Sequence, residues 1–179
     1  MGRAAVGAAV LLLSLSSTAS ADRTYGAIVE MTGGPGWRTS VGQDPNAPGF
    51  NAITGGLDLL VGLDLAGAVG VVTGGRVRAG SSGGARYLEV SGDLGAQLHL
   101  GEGVRARAGV NAGRAYVEGI GSSLLVGGWV AVAIDLYALA TNRVAVALAV
   151  RLDIGGFPGG GDAFPAGTLG LTAGLGWRY

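Results

Sequence analysis

The sequence predicts an all-β protein, an eight-stranded antiparallel up-and-down transmembrane β-barrel. Three observations predict it: apolar and polar residues alternate at a period of two, long and short connections alternate along the chain, and the charges gather on the polar rows. A two-residue alternation is typical of a strand with one apolar face. In a membrane barrel that face points toward lipid, and the polar face lines the interior.

The first 21 residues are predicted to be a signal peptide. Arg3 supplies a positive charge, residues 4–15 form an uncharged apolar run, and Ala19-Ser20-Ala21 is a small-x-small cleavage site. The apolar run is short of the roughly 20 residues that a spanning helix needs, so a membrane anchor is the less favoured alternative. We therefore expect an exported protein with one barrel domain at residues 22–179.

The composition narrows the possible functions. The sequence has no cysteine, so no disulfide stabilises the fold, and 37 of its 179 residues are glycine. Twelve cationic residues, all arginines, balance twelve acids. Without a basic run nucleic acid is not an expected partner, and without lysine there is no Walker phosphate-binding loop.

Eight alternating segments can be placed along the chain. In the fourth, Leu88, Val90 and Leu94 belong to an apolar row, while Glu89 and Asp93 lie on the opposite row. The fifth repeats the pattern after Gly101-Glu102-Gly103, which fits a tight hairpin connection. The predicted strands are residues 24–34, 50–62, 68–79, 86–100, 104–117, 124–139, 144–155 and 168–179.

The connections are predicted to alternate in length. The first, third, fifth and seventh are the loops "PGWRTSVGQDPNAP", "GSSGGAR", "EGIGSS" and "GFPGGGDAFPAG". The second, fourth and sixth are short turns around Asp64, Glu102 and Asn142. Because neighbouring strands run antiparallel, this places all long loops at one end of the barrel and all short turns at the other.

The polar rows carry twelve charges, and their direction decides the class of protein. In a soluble barrel they would cover the outside. The apolar row is continuous around the sheet, however, and glycine recurs on the polar row, where a narrow eight-stranded interior needs small residues beside long arginines. The predicted interior charges are Glu30, Asp58, Arg76, Arg78, Glu89, Asp93, Arg105, Arg107, Asp135, Arg151, Asp153 and Arg178.

A helical membrane protein is the other alternative. The run "LLVGGWVAVAIDLYALA" holds 17 residues with one acid. It is rich in glycine and valine, and it is too short and too charged to span comfortably as a helix. Its alternation favours a strand.

The predicted mature chain resembles the small eight-stranded outer-membrane barrels of Gram-negative bacteria, of the OmpX and OmpA membrane-domain type. The resemblance is carried by the signal peptide, the eight alternating segments, the loop pattern and the terminal "GLTAGLGWRY". It implies an outer-membrane location, both termini in the periplasm, long loops outside the cell, and the lipid bilayer and the barrel-assembly machinery as partners. In such proteins an alternating apolar row that ends on an aromatic residue is the assembly signal, here Leu171, Ala173, Leu175, Trp177 and Tyr179.

Catalytic and metal chemistry finds little support in the residues. "GSSGG" matches the G-x-S-x-G pattern, but that motif needs a strand-turn-helix setting and a nearby histidine, and His99 lies at the opposite end of the predicted barrel. We expect His99 to face Arg105 across a hairpin and to be a structural histidine. No catalytic residue, metal or cofactor is predicted, and the protein is expected not to be an enzyme.

The interior charges allow two functions. They can form a paired polar network that plugs the lumen, or they can line a narrow passive pore for small ions; bulky arginines in an eight-stranded barrel favour the plug. The leading hypothesis is therefore a structural or surface-interaction protein, with a pore and a lipid-modifying enzyme as alternatives. The predicted loop contacts are Trp37, Arg38, Phe157 and Phe164, and their partner outside the cell is not specified by the sequence.

Overall fold

The structure is a computed structural model that describes residues 26–40, 51–66, 68–101, 103–119, 121–136, 144–156 and 165–178. They form eight strands, each between 13 and 17 residues long, and a tilted strand needs roughly 9–11 residues to cross hydrocarbon. The strands are β1 (Ala27–Ser40), β2 (Asn51–Ala66), β3 (Val69–Ser82), β4 (Ala85–Gly101), β5 (Val104–Val117), β6 (Gly121–Leu136), β7 (Val144–Gly156) and β8 (Pro165–Arg178).

The strands close into a barrel in chain order. Each pairs antiparallel with its sequence neighbours, and β1 pairs with β8. Following paired residues from Val29 once around the barrel leads back to Thr39, ten residues further along β1. Such a stagger accompanies strands tilted by roughly 35–45°. The closed sheet has no free edge, as a bilayer core requires, and the predicted fold class is confirmed.

The two faces of the sheet differ sharply in chemistry. Outward side chains form what we call the outer wall, where Ile53 is 79% exposed, Leu57 65% and Leu171 56%. Inward side chains line the lumen, and the largest fully buried ones are mostly polar, among them Arg76, Arg78 and Arg105. Apolar residues outside and charges inside are the arrangement of a transmembrane barrel, the reverse of a soluble one. Among the described residues, no helix is long and apolar enough to cross a membrane.

The strand ends correct the predicted pattern of connections. We call the end with the start of β1 and the end of β8 proximal, and the other end distal. Distal connections span 41–50, 83–84, 118–120 and 157–164, and proximal ones span 67–68, 102–103 and 137–143. The strict alternation is therefore wrong at two places. "GSSGGAR" contributes only Gly83-Gly84, whose φ angles of 56° and 91° suit a two-residue hairpin turn, and β6 already begins at Gly121, inside the predicted loop "EGIGSS".

Candidate functional site

The lumen is the candidate functional site, since it holds most of the described charges. Of the twelve predicted interior charges, ten are buried inward side chains, and Asp58 is inward with its side chain 14% exposed. Arg178 is the last residue of β8, and its side chain lies outside the described part. The structure therefore places eleven of them on the inner face, because the two-residue parity holds along every strand.

A proximal cluster joins opposite sides of the barrel. Glu30 on β1 accepts hydrogen bonds from two arginines of β5: Arg105 donates through Nη1 at 2.6 Å, and Arg107 donates to both carboxylate oxygens, through Nη1 at 3.2 Å and more closely through Nη2. Arg105 also pairs with Asp135 on β6. Strands β1 and β5 are four apart in an eight-stranded ring, so these bonds cross the full width of the lumen.

A distal cluster makes a second crossing. Arg76 on β3 donates to Asp153 on β7 at 2.7 Å and lies 3.2 Å from Glu89. Arg151 binds both oxygens of Asp93 on β4, at 2.6 and 2.9 Å. Charge-assisted, bidentate pairs of this kind are the strongest side-chain hydrogen bonds. Salt bridges therefore connect opposite strands across the lumen at two levels.

Arg38 belongs to the distal cluster, which corrects its prediction as a loop contact. The chain does not leave the sheet at Pro35; β1 and β8 have no pair at Gly34 and Pro35, since proline has no N–H to donate, and pairing resumes at Gly36 opposite Gly170. Alternation then points Arg38 inward, where it is 3% exposed. It donates to Thr168 at 2.6 Å and lies 3.3 Å from Glu89, which also accepts a hydrogen bond from Tyr87.

One interior ion pair is loose. Arg78 Nη2 lies 3.8 Å from Asp58 Oδ2, and within the described residues none of the three Arg78 guanidinium nitrogens has a hydrogen-bond partner. The guanidinium lies against the backbone of β8, so that a Cβ at Gly170 would come 3.0 Å from Nη2. Glycine makes room for this side chain, but the lumen gives it a weaker partner than its neighbours have.

Trp129 is an interior residue that the sequence analysis missed. It is 3% exposed, its ring lies 4.4 Å from the guanidinium carbon of Arg151, and its indole Nε1 donates to the Val110 carbonyl at 3.1 Å. A Cβ at Gly95 would approach the ring to 2.9 Å. The sequence could have indicated this position by parity, because Trp129 lies on the same inward row of β6 as Asp135.

The proximal mouth holds a small polar group around Asp64. The register places His99 opposite Arg105, as predicted. The structure adds that Asp64 Oδ1 accepts a bond from Gln97 at 2.6 Å and lies 2.9 Å from His99 Nε2. Asp64 was predicted to mark a turn, whereas β2 continues to Ala66 and carries its side chain inward. Among the described residues, no three His, Cys, Asp or Glu side chains are grouped to hold a metal ion.

The cavities show where a small molecule could fit. Between the two clusters lies a cavity of about 30 Å³, lined by residues that include Glu30, Asp58, Asp93 and Arg151, which is room for one or two water molecules. A concavity of about 460 Å³ lies instead over outward residues such as Ala106 and Val132. Between the two clusters the side chains thus leave room for little more than water.

The remaining predicted site residues lie on the outer wall or outside the described residues. Trp37 is a strand residue, 58% exposed on the outer wall, so its prediction as a loop contact is wrong for the same reason as for Arg38. Leu171, Ala173 and Leu175 face outward on β8, and Trp177 shares their parity. Phe157, Phe164 and Tyr179 lie outside the described residues. Ser81 and Ser82 end β3 in a hairpin, at the opposite end of the barrel from His99.

A closed barrel with an apolar wall and a charge-paired lumen defines a small transmembrane β-barrel. Solved structures with this fold include Ail, the attachment invasion locus protein of Yersinia pestis, in complex with the heparin analogue sucrose octasulfate. That structure has a TM-score of 0.51 at 13% identity, over 86% of this chain and 99% of Ail. Neisserial surface protein A gives a TM-score of 0.54 at 10% identity, over 88% and 100%. No family model matches the chain, and no curated protein sequence matches it significantly.

Proposed function

We propose that this protein is an integral outer-membrane barrel that acts as a closed scaffold and contacts partners outside the cell. The observation that carries the proposal is the two sets of salt bridges that cross the lumen, one between β1 and β5 and the other between β3 and β7. Buried charges are stable when paired and hydrogen-bonded. Opening a channel would break several such pairs at once, so the lumen is proposed to be plugged.

The location follows from the signal peptide proposed at residues 1–21 together with the barrel. An exported chain whose wall is apolar needs a bilayer, and a closed β-barrel is one of two architectures that a bilayer accepts. We assign the proximal end to the periplasm and the distal end to the cell exterior. The outward row of β8, with Tyr179, is proposed as the signal for the barrel-assembly machinery.

The contact role is assigned to the distal connections, and the protein is proposed not to be an enzyme. Ail, the attachment invasion locus protein, has the same fold and was solved in complex with a heparin analogue, which supports a contact role. With Trp37 and Arg38 on the barrel wall and in the lumen, Phe157 and Phe164 remain the proposed anchors. Large aromatic residues contribute most to contact energy.

Conductance across planar bilayers tests the plug. We expect the purified barrel to insert without stable, step-like current openings, and such openings would instead establish the narrow pore. A matched variant sharpens the test: Glu30→Leu with Arg105→Met and Arg107→Met removes the proximal crossing and leaves the distal one. If that variant conducts and the wild type does not, the crossings are what closes the lumen.

Surface labelling tests the location and orientation. Single cysteines introduced at residues 45 and 160, in the distal connections, should react with a membrane-impermeant reagent on intact cells. A cysteine at residue 140, in a proximal connection, should react only after the outer membrane is broken. Equal labelling of all three positions on intact cells would overturn the orientation, and recovery of the protein in the soluble fraction would overturn the membrane assignment.

A further inference from the structure

The outer wall carries two charges, and both are arginines. Among all outward strand residues of the described chain, Arg86 on β4 and Arg114 on β5 are the charged ones, and both side chains are exposed. They lie on adjacent strands toward the distal end. Most of the remaining wall is apolar or glycine, and it also carries a few uncharged polar side chains.

Neither arginine is neutralised by the described protein. No described carboxylate forms a salt bridge with either guanidinium, in contrast to the short pairs of the two lumen clusters. Glu118, the nearby acid at the strand tip, accepts a hydrogen bond at 3.2 Å from the backbone N–H of Arg86. The described wall therefore presents two guanidinium groups without a salt-bridge partner, while the carboxylate of Glu118 lies beside the backbone of Arg86.

The two arginines border one polar patch. Backbone pairing sets Arg86 opposite Glu118, and Arg114 lies four residues before Glu118 on β5, about 13 Å along the strand. Tyr116 stands between them on the same outward row, opposite the exposed Ser122. Ser81, also exposed, pairs with Arg86 from β3. We call Ser81, Arg86, Arg114, Tyr116 and Ser122 the distal patch; its side chains supply guanidinium and hydroxyl donors.

The depth of Arg114 in the bilayer indicates which chemical group can pair with it. Arg114 pairs with Val90 and Leu124, both exposed and apolar, so it sits at the upper edge of the apolar band. A lipid-facing charge is costly in hydrocarbon, and the cost falls toward the interface. Arginine can bury its stem along an apolar surface while its head reaches the interface, and its planar fork matches phosphate oxygens. Tyrosine is likewise favoured at this depth.

We propose that the distal patch binds the phosphate of an anionic lipid headgroup in the outer leaflet. Arg114 reaches up from the edge of the hydrocarbon and Arg86 reaches from the strand tip, with Tyr116 between them; Ser81 on β3 and Ser122 on β6 flank the two arginines. The proposal rests on the membrane location and orientation given above. The binding itself is measurable on the purified barrel, whatever the location in the cell.

Native mass spectrometry of the purified barrel in neutral detergent provides the test, with phosphatidic acid as the probe and phosphatidylcholine as the neutral comparison. We expect the wild type to retain phosphatidic acid preferentially. Each arginine should contribute about tenfold in affinity, the scale of a charge-assisted hydrogen bond. R86Q/R114Q should therefore lose about a hundredfold, and R86K/R114K should fall between the two.

Two controls separate the possible failures. Ser122→Ala should weaken binding only slightly, and Asn51→Gln, at the distal end of β2, should leave it unchanged. Heat-dependent gel mobility shows whether each variant is folded; the lysine variant keeps the test informative if the glutamine variant misfolds. Equal retention of phosphatidic acid by folded wild type and folded R86Q/R114Q would overturn the proposal and leave the plug and the orientation standing. Competition by inorganic phosphate alone would show that the lipid is not required and would also overturn it.

Discussion

The inner and outer walls of this barrel use arginine in opposite ways. Six described arginines point into the lumen, and five of them contact a carboxylate at 3.3 Å or closer. The two on the outer wall have no described ion-pair partner. A charge inside a closed barrel must be compensated by the chain itself, because nothing else can reach it. A charge on the outer wall can be compensated by the membrane.

The largest expected effect comes from breaking a lumen pair. Glu30→Gln should destabilise the barrel by about 3–5 kcal/mol, since it leaves Arg105 and Arg107 buried without their shared carboxylate. Urea unfolding in phosphatidylcholine vesicles measures the change. Glu118→Gln alters an exposed carboxylate and should stay within about 0.5 kcal/mol. Similar losses in both variants would mean that the lumen pairs contribute little.

Packing inside the lumen gives the next effect. Gly95→Ala places a methyl group against the ring of Trp129 and the neighbouring backbone, and such overpacking costs about 1–3 kcal/mol. Gly92→Ala adds the same methyl on the outward face of the same strand, where the nearest atom is 3.8 Å away. We expect that substitution to be neutral in the same unfolding assay. If Gly92→Ala were the more harmful of the two, the assignment of the inner face would be contradicted.

The loose Asp58–Arg78 pair should contribute less to the free energy of unfolding than the close pairs of Glu30. Asp58→Asn removes a carboxylate that lies 3.8 Å from Arg78, so we expect a loss of about 1 kcal/mol, the scale of an ordinary hydrogen bond. The comparison with Glu30→Gln, under identical conditions, tests whether pairing distance ranks the lumen charges. A loss as large as that of Glu30→Gln would show that pairing distance does not rank the lumen charges.

The smallest effect lies on the outer wall and has the opposite sign. Arg114→Leu should stabilise the barrel by up to about 1 kcal/mol in phosphatidylcholine, because it removes a charge from the edge of the apolar band. In vesicles that contain phosphatidic acid the same substitution should destabilise it. Unfolding midpoints in the two lipids measure the difference, and an effect that is the same in both lipids would argue against a preference for an anionic phosphate headgroup.

Much of the fold could be predicted from the sequence because barrel strands repeat one simple rule. All eight strands follow the parity that their apolar rows indicate, and residues 104–117 coincide with β5 from end to end. Parity also places eleven interior charges. The rule ends at the strand tips: Pro35 suggested the end of β1, yet a proline in the sheet removes only one donor, and the strand continues to Ser40.

The contacts across the lumen could not be predicted. Register between adjacent strands follows from hairpin turns, which is why His99 opposite Arg105 was foreseeable. Contacts between β1 and β5 depend on the stagger accumulated over four strand pairs. Asp58 shows the limit: it lies beside Arg76 in the register, but its nearest cation is Arg78. The roles of Asp64 and Trp129 depend on the same geometry.

The crossings over the lumen also specify the register. A slip of one strand by two residues would preserve the alternation, so apolar side chains would still face lipid and the wall would look unchanged. It would, however, move Arg105 and Arg107 roughly 7 Å along the strand; one of them could take the other's place beside Glu30, and the other would be buried without that carboxylate. The lumen charges thus disfavour a two-residue register slip that the apolar outer wall would tolerate. They favour a single register in a glycine-rich sheet.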